Sequence, residues 1–570
     1  MSLGRLWRTV RWLKPAQVAG RITFRLARPR PDLRPPPPRR EARGRWVTPP
    51  AREASLVGPT RWRLLGVEHD LAQIGWDEPA VPLLWRYNQH YFDDLNARDS
   101  DERRAWQRAL VQRWIDDNPP GRGTAWAPYP TSLRIVNWIK WILGGETVRP
   151  EWLTSLAVQA RWLMRRLEWH LLGNHLFANA KALVFAGLFF GGDEAARWLR
   201  AGVEILEREL PEQILADGAQ FERSPMYHLL ALEDVLDLVN IIEVFDAGGA
   251  ADRLLPALRQ RVGPMLHWLA CMLHPDGTLA RFNDCAEGIA PPAADVRRYA
   301  AALGFADLAG PPLPAEGVLR LEPSGYLRAA AGPALLLADV APVGPDYLPG
   351  HAHADTLSFE LSLHGQALIV NRGTSIYGEG PRRQLERGTA AHSTVQIGGE
   401  DSSEVWAGFR VGRRARPFDV AVEDFDLSAA HDGYTHLPGR PVHRRRWQLE
   451  AQALVISDEV TATGKAHATN TTGAPLEALA RFHLAPGLSC TREADGSWLV
   501  RRGSLALARF RIEAGSASLE DWQHAAAFGH LVPAQTLAVR LVPAPAGSSA
   551  PSPRAIVRWS WAATPGESPP

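Results

Sequence analysis

A chain of 570 residues with 45% hydrophobic content is long enough for two or three domains, and a net charge of +2 carries no global polyanion-binding signature. Its three cysteines, Cys271, Cys285 and Cys490, form no CxxC pair, which argues against a disulfide framework and a thiolate zinc site. No run of about 20 apolar residues is present, so no spanning helix is expected, and no basic stripe combines with aromatics in a nucleic-acid motif.

Residues 1–30 contain eight lysines and arginines, and no acid precedes Asp32. Leu3, Leu6, Trp7 and Val10 fall at helical spacing, with Arg5, Arg8 and Arg11 on other faces. A basic amphipathic helix of this kind suits an anionic membrane surface. Packing on the folded body is the favoured expectation. No signal-peptide core or cleavage site follows. Residues 28–60, with Pro35 to Pro38, read as a linker or extended strap that completes an N-terminal segment over 1–60.

From 61 to 315 the pattern is helical. Glu151 to Leu172 carries Trp152, Leu156, Leu163 and Leu167 at helix-like intervals, and Leu176 to Phe190 is apolar on nearly every side, as a deeply buried helix would be. Ala231 to Phe245 and Val262 to Leu273 continue the series, which suggests stacked helical hairpins in a solenoid or closed toroid. From 320 to 560 the texture changes to short alternating runs split by Gly, Pro and Asp. These are Ala334–Val340, Leu357–Leu363, Ala367–Val370, Trp447–Ile456, Ala478–His483, Leu505–Ile512 and Thr536–Val542, and they predict an antiparallel sandwich. The Pro/Ser-rich last twenty residues are expected to fray. The chain's 22 tryptophans should mostly fill cores, with some lining a carbohydrate cleft.

Four constellations carry chemistry. Asn174-His175 precedes the buried helix; Asn174 suits an N-cap, which leaves His175 unexplained. Asp217-Gly-Ala-Gln-Phe-Glu-Arg-Ser-Pro-Met-Tyr227-His228 turns into a helix that opens on Tyr-His, and a tyrosine serves as acid or base when a cation lowers its pKa of about 10. His351-Ala-His353-Ala-Asp355, if extended, projects its three side chains from one face, with Asn371 and His392 further along. Imidazoles with an oxygen ligand suit zinc. Arg382-Arg383 and Arg387, with Trp406 and Arg410, form a basic run that would attract a uronate polymer next to a helical cleft. With Arg223 they make Arg382, Arg387, Trp406 and Arg410 the substrate-binding candidates. Neither a phosphate loop nor a G-x-S-x-G elbow occurs.

Together these motifs resemble the heparinase II/III family of polysaccharide lyases, including the similar oligoalginate lyases. The resemblance rests on Asn174-His-Leu-Phe-Ala-Asn, Glu222-Arg-Ser-Pro-Met-Tyr-His, His351-Ala-His-Ala-Asp with Asn371-Arg-Gly-Thr, and Ala391-His-Ser-Thr-Val. Trp85 to Asn96 and the basic N-terminus are similar to members encoded with bacterial exopolysaccharide or capsule assembly. The resemblance implies a multidomain α-then-β fold: an incomplete (α/α) toroid followed by an antiparallel β-sandwich, with the active cleft between them. It implies β-elimination on a uronic-acid polymer, with Asn174 and His175 donating to the sugar carboxylate and Tyr227 and His351 sharing proton transfer. Which of the two is base stays open, because C5 epimers present the proton on opposite faces. The resemblance also implies one zinc ion at His353, Asn371 and His392; the family commonly has Asp where this chain has Asn371, and an amide is a poorer zinc ligand than a carboxylate. It points to the periplasm or cell envelope; with no signal readable, the cytoplasm is the alternative. A non-catalytic glycan-binding or assembly factor on the same scaffold is the rival function. A glycoside hydrolase using Asp217 and Glu222 is the third.

Overall fold

The computed structural model describes residues 3–245, 249–306, 313–464, 476–543 and 552–562. Two short helices, α1 (Leu3–Val10) and α2 (Pro15–Leu26), precede an extended strap. The strap is pinned to the helical body by backbone pairing. Arg40 N–H donates to Phe189 O (2.9 Å), and Gly44 N–H to Val244 O (2.8 Å).

The helical body is an incomplete (α/α) toroid built from Ser100–Asp117, Pro128–Leu143, Pro150–Met164, Gly173–Phe189, Gly192–Gln213, Pro225–Phe245 and Ala250–Cys271. Gly173–Phe189 is buried from Leu176 onward, as its unbroken apolar run requires. Most tryptophans are core residues: Trp114 meets Trp126, Trp138 and Phe92, and the buried Arg134 guanidinium lies 3.8 Å over its ring. Full burial of such rings contributes roughly 2–3 kcal/mol each.

The β part begins with a five-stranded antiparallel meander, Gly317–Leu321, Tyr326–Ala331, Ala334–Asp339, Phe359–Leu363 and Gln366–Ile369. Both of its faces are covered. Leu336 and Ala338 enter the sandwich core with Phe359 and Trp447, whereas Leu335 and Leu337 meet Trp268, Met272 and Phe282 of the helical body. That double burial explains why Ala334–Ala338 is continuously apolar and not alternating as expected. Eight-stranded and four-stranded antiparallel sheets complete the sandwich. The predicted run Trp447–Ile456 is in fact a hairpin turn between strands Pro441–Glu450 and Ala453–Ala462. The C-terminal stretch expected to fray instead supplies strand Arg554–Ser560, paired on both sides inside the eight-stranded sheet, and residues 563–570 lie outside the described residues. No helix among the described residues is long and apolar enough to cross a membrane.

Candidate active site

A cleft of 510 Å³ opens on the toroid, with Tyr377 and Phe528 of the β part at its edge. Four segments converge beside it, and each carries one non-glycine residue in the left-handed region: Leu172 (φ 64°), Arg223 (φ 59°), Asn283 (φ 57°) and Leu357 (φ 62°). Such backbone costs of order 1 kcal/mol or more per residue and is held only where surrounding contacts over-determine it.

The first segment delivers Asn174 to the cleft wall, one residue into a helix that begins at Gly173 (φ 53°). The Asn174 side chain has no hydrogen-bond partner among the described residues. His175 is half-buried against Tyr129 (ring centroids 4.5 Å apart), and its Nδ1 lies 3.2 Å from Glu168 Oε1. Burial opposes a charge there, but the Glu168 carboxylate outweighs it and holds the imidazole above its ordinary pKa.

The second segment turns at Gly218, where φ is 92° and a Cβ would stand 2.2 Å from the Pro264 carbonyl, so the turn requires glycine. Asp217 is spent on this junction: it accepts from Ser324 N–H (3.0 Å) and Oγ–H (2.6 Å). Glu222 is buried and raised in pKa by that burial; its Oε2 has no hydrogen-bond partner and lies 3.7 Å from His351 Nε2. Tyr227 lines the cleft, 3.2 Å from the Tyr377 hydroxyl, and its ring stacks on His351 at 3.9 Å. Burial keeps the Tyr227 phenol well above the ordinary value, so it is protonated at neutral pH. His228 is structural. Its Nδ1 accepts from Gln220 N–H (3.2 Å), its Nε2–H donates to Met265 O (3.0 Å), and burial lowers its pKa to about 3.

The third segment, Asn283-Asp284, is absent from the sequence-based site and is its hub. Asp284 is fully buried; it accepts from His351 Nδ1 (2.9 Å), from His353 Nε2 (2.8 Å) and from both terminal nitrogens of Arg383, the second at 2.6 Å. Burial opposes its charge, but Arg383 and the two imidazoles hold it well below the carboxylate range. Asn283 Oδ1 accepts from His353 N–H (3.0 Å), and its Nδ2 donates to Arg223 O (3.0 Å). Residues 351–357 form turns rather than the extended segment imagined, and the strand starts at Phe359. His351 and His353 nonetheless reach the same carboxylate, while Asp355 turns to Asn283 N–H (3.1 Å).

The three expected zinc positions do not converge. Asn371 Oδ1 lies 3.2 Å from His392 Nδ1, whereas His353 Nδ1 lies 3.2 Å from His392 Nε2, on the opposite edge of that ring. Ser393 N–H also donates to Asn371 Oδ1 (3.2 Å), which fixes the amide so that it orients His392 instead of sharing its ligand position. The two facing nitrogens fall short of the four ligands of a closed structural zinc site, and no group of three or more His, Cys, Asp or Glu among the described residues has metal-binding geometry.

The structure places the five substrate-binding candidates elsewhere. Arg223 braces the domain junction through Ser324 O (3.0 Å) and Phe221 O. Arg382 pairs with Glu386 (2.6 Å). Arg387 is buried and donates to Ala352 O (2.9 Å), and burial lowers its pKa to about 9. Trp406 donates to Thr9 Oγ1 (3.2 Å), and exposed Arg410 covers its ring. None of the five lines the cleft, and neither does any tryptophan; its aromatic rings are Tyr91, Tyr129, Phe177, Tyr227, Tyr377 and Phe528.

Residues 91–301 match the Heparinase II/III N-terminus model, and residues 314–560 match the Heparinase II/III-like, C-terminal model. The chain belongs to the heparinase II/III family. A heparin-sulfate lyase of Bacteroides stercoris is 28% identical over 302 residues, covering 48% of this chain and 43% of that protein. One of Bacteroides thetaiotaomicron is 30% identical over 146 residues, covering 24% and 21%. The chain thus aligns with less than half the length of these relatives. Among solved structures, a heparinase III aligns at a TM-score of 0.61 with 16% identity, covering 85% of this chain and 77% of that one. A heparan sulfate lyase from Pedobacter heparinus aligns at 0.54 with 18% identity, covering 88% and 81%. These likenesses show the shared toroid-and-sandwich fold.

Proposed function

We propose that this family member is a polysaccharide lyase that cleaves a uronic-acid-containing polymer by β-elimination. One observation carries the reading: an unpartnered amide and a protonated phenol line one cleft, and an imidazole oriented by a buried carboxylate stacks on that phenol. The C5 proton of a uronate is weakly acidic while the neighbouring carboxylate is ionised. A site must therefore neutralise that carboxylate, remove the proton and protonate the departing O4. Asn174 donates to the sugar carboxylate, with His175 beside it as a second donor. His351 takes the C5 proton on Nε2, because Nδ1–H is committed to Asp284; the carboxylate stabilises the imidazolium that forms, as in other His–Asp pairs. Tyr227 gives its proton to O4, and the Tyr377 hydroxyl stands by to donate to the resulting phenolate.

The cleft also speaks to the polymer. Its internal cations are already paired, Arg52 with Glu233 (2.7 Å), Lys140 with Asp237 (2.5 Å), and Lys181 with Asp234 (2.6 Å) and Asp237 (2.5 Å). Asp93 and Glu287 line the same walls. A densely sulfated chain would meet few free cations there, so the substrate is a sparsely charged, unsulfated uronate polymer. Incubation with heparosan, glucuronan, alginate and heparan sulfate, read by ultraviolet absorbance of the C4=C5 bond conjugated to the carboxylate, should give product from an unsulfated polymer. Tyr227→Phe should lower that rate about a thousandfold. Full activity of Tyr227→Phe removes the phenol from the mechanism, and glycan binding without any unsaturated product assigns the scaffold to a binding role.

A further inference from the structure

The two N-terminal helices are mounted inside out. The polar side of α1 faces the β part: Arg5 and Arg8 bind Glu404 (3.0 and 2.9 Å), and Thr9 accepts from Trp406. Its apolar side, Leu3 (86% exposed), Trp7 (64%) and Val10 at i, i+4 and i+7, points to solvent. α2 repeats the arrangement against the helical body. Gln17 donates to Leu171 O and Tyr347 O (both 3.3 Å), Phe24 packs on His170 at 4.2 Å, and Gly20 sits against the His170 backbone. The opposite stripe, Val18, Ile22 (55%) and Leu26 (75%), is exposed.

Apolar stripes of this size are normally turned inward. Here inward rotation is blocked by the ion pairs of α1 and the wedged Gln17 and Phe24 of α2. The charge around the stripes indicates what covers them. Arg11, Arg21, Arg25 and Arg28 are exposed beside them, none is ion-paired to an acid among the described residues, and the sequence holds no acid before Asp32. We propose that α1 and α2 form a docking surface for an anionic lipid bilayer, with Leu3, Trp7, Val10, Val18, Ile22 and Leu26 entering the interface and the arginines meeting the headgroups. α1 is fastened to the β part, and α2 to the helical body and to Tyr347 of the β part, so docking would hold both halves of the cleft at the membrane together.

Flotation of the full chain with phosphatidylcholine vesicles, and with mixed phosphatidylcholine–phosphatidylglycerol vesicles, tests this. The chain should float with the mixed vesicles alone, less so as salt rises. Trp7→Ser/Ile22→Ser/Leu26→Ser should lower partitioning at least about tenfold while leaving turnover of a soluble polymer unchanged. Arg21→Glu/Arg25→Glu should lower it about fivefold per arginine and abolish the preference for the anionic lipid. No flotation at low salt, or equal flotation of the serine variant, overturns the proposal. So does a dimer in sedimentation velocity that the serine variant dissolves, which would assign the face to a second copy of the chain.

Discussion

Two buried clusters in this protein use the same set of side chains, one aspartate, one arginine and two histidines, and they end differently. In the sandwich, Asp458 accepts from Arg445 (2.7 and 2.9 Å) and from His443 Nε2 (2.8 Å), and His443 Nδ1 lies 3.2 Å from His431 Nε2. At the domain junction Asp284, Arg383, His353 and His392 repeat that chain, with the same 3.2 Å between imidazoles. The last link separates them. His431 Nδ1 accepts from Gly433 N–H (3.1 Å), so each proton runs one way, from His431 to His443 to Asp458, and the network closes. His392 Nδ1 instead meets the Asn371 oxygen that also accepts from Ser393 N–H, so it must donate. Protons then leave both ends of the junction pair, and His353 Nδ1 faces His392 Nε2 with none between them. Burial lowers His353 to about 4 and His392 well below its ordinary value, so neither imidazole is charged near neutral pH. The closed network is a structural brace. The open one lies next to the cleft and presents two acceptor nitrogens to one point.

The comparison breaks most visibly at the carboxylates. Asp284→Asn and Asp458→Asn each leave a buried arginine without its counter-charge, and urea unfolding should register a loss of about 3–5 kcal/mol in either case. Only Asp284→Asn should also stop the chemistry, by about a thousandfold or more in kcat at a temperature where the variant is folded, because it misorients His351. Equal turnover in the two variants would dissolve the functional distinction between the clusters.

A smaller effect sharpens the brace. Burial opposes the Asp458 charge, but Arg445 and His443 pull its pKa down to about 2. A carboxylate depressed in the folded state stabilises it fully above the unfolded value of about 4, and that contribution is lost as pH falls toward 2. Unfolding titrations should show about 2 kcal/mol disappearing across that window, and an unchanged acid limb in Asp458→Asn would remove this network as its source. The smallest effect concerns the open cluster. Asn371→Asp keeps the hydrogen bonds from Ser393 and His392 and adds charge behind the imidazole. Zinc retained after dialysis should tighten about tenfold over the parent chain.

Much of this molecule was legible before folding. The buried run ending at Phe190 and the strand at Ala478–His483 both write their burial into local period. Asn174, Tyr227 and the His351/His353 pair stood out because polar groups interrupt apolar patterns at fixed offsets. The arginines were harder to read. Arg382, Arg383 and Arg387 lie within one helical turn and a half, yet one caps a neighbouring glutamate, one holds Asp284 and one is sunk among carbonyls. A basic run looks the same on paper whichever way each guanidinium turns.

The sequence by itself determined the long helices, several of the strands and which polar residues break their periodicity, since these follow from side chains within a few positions of each other. Only the tertiary structure decided that Asp284 is the hub, because its partners His351, His353 and Arg383 lie 67, 69 and 99 residues away. Only it decided that Asn371 orients a histidine, and that the apolar sides of the first two helices face outward. Electrostatic satisfaction of a buried charge is a property of the space around it, and no local period encodes that space.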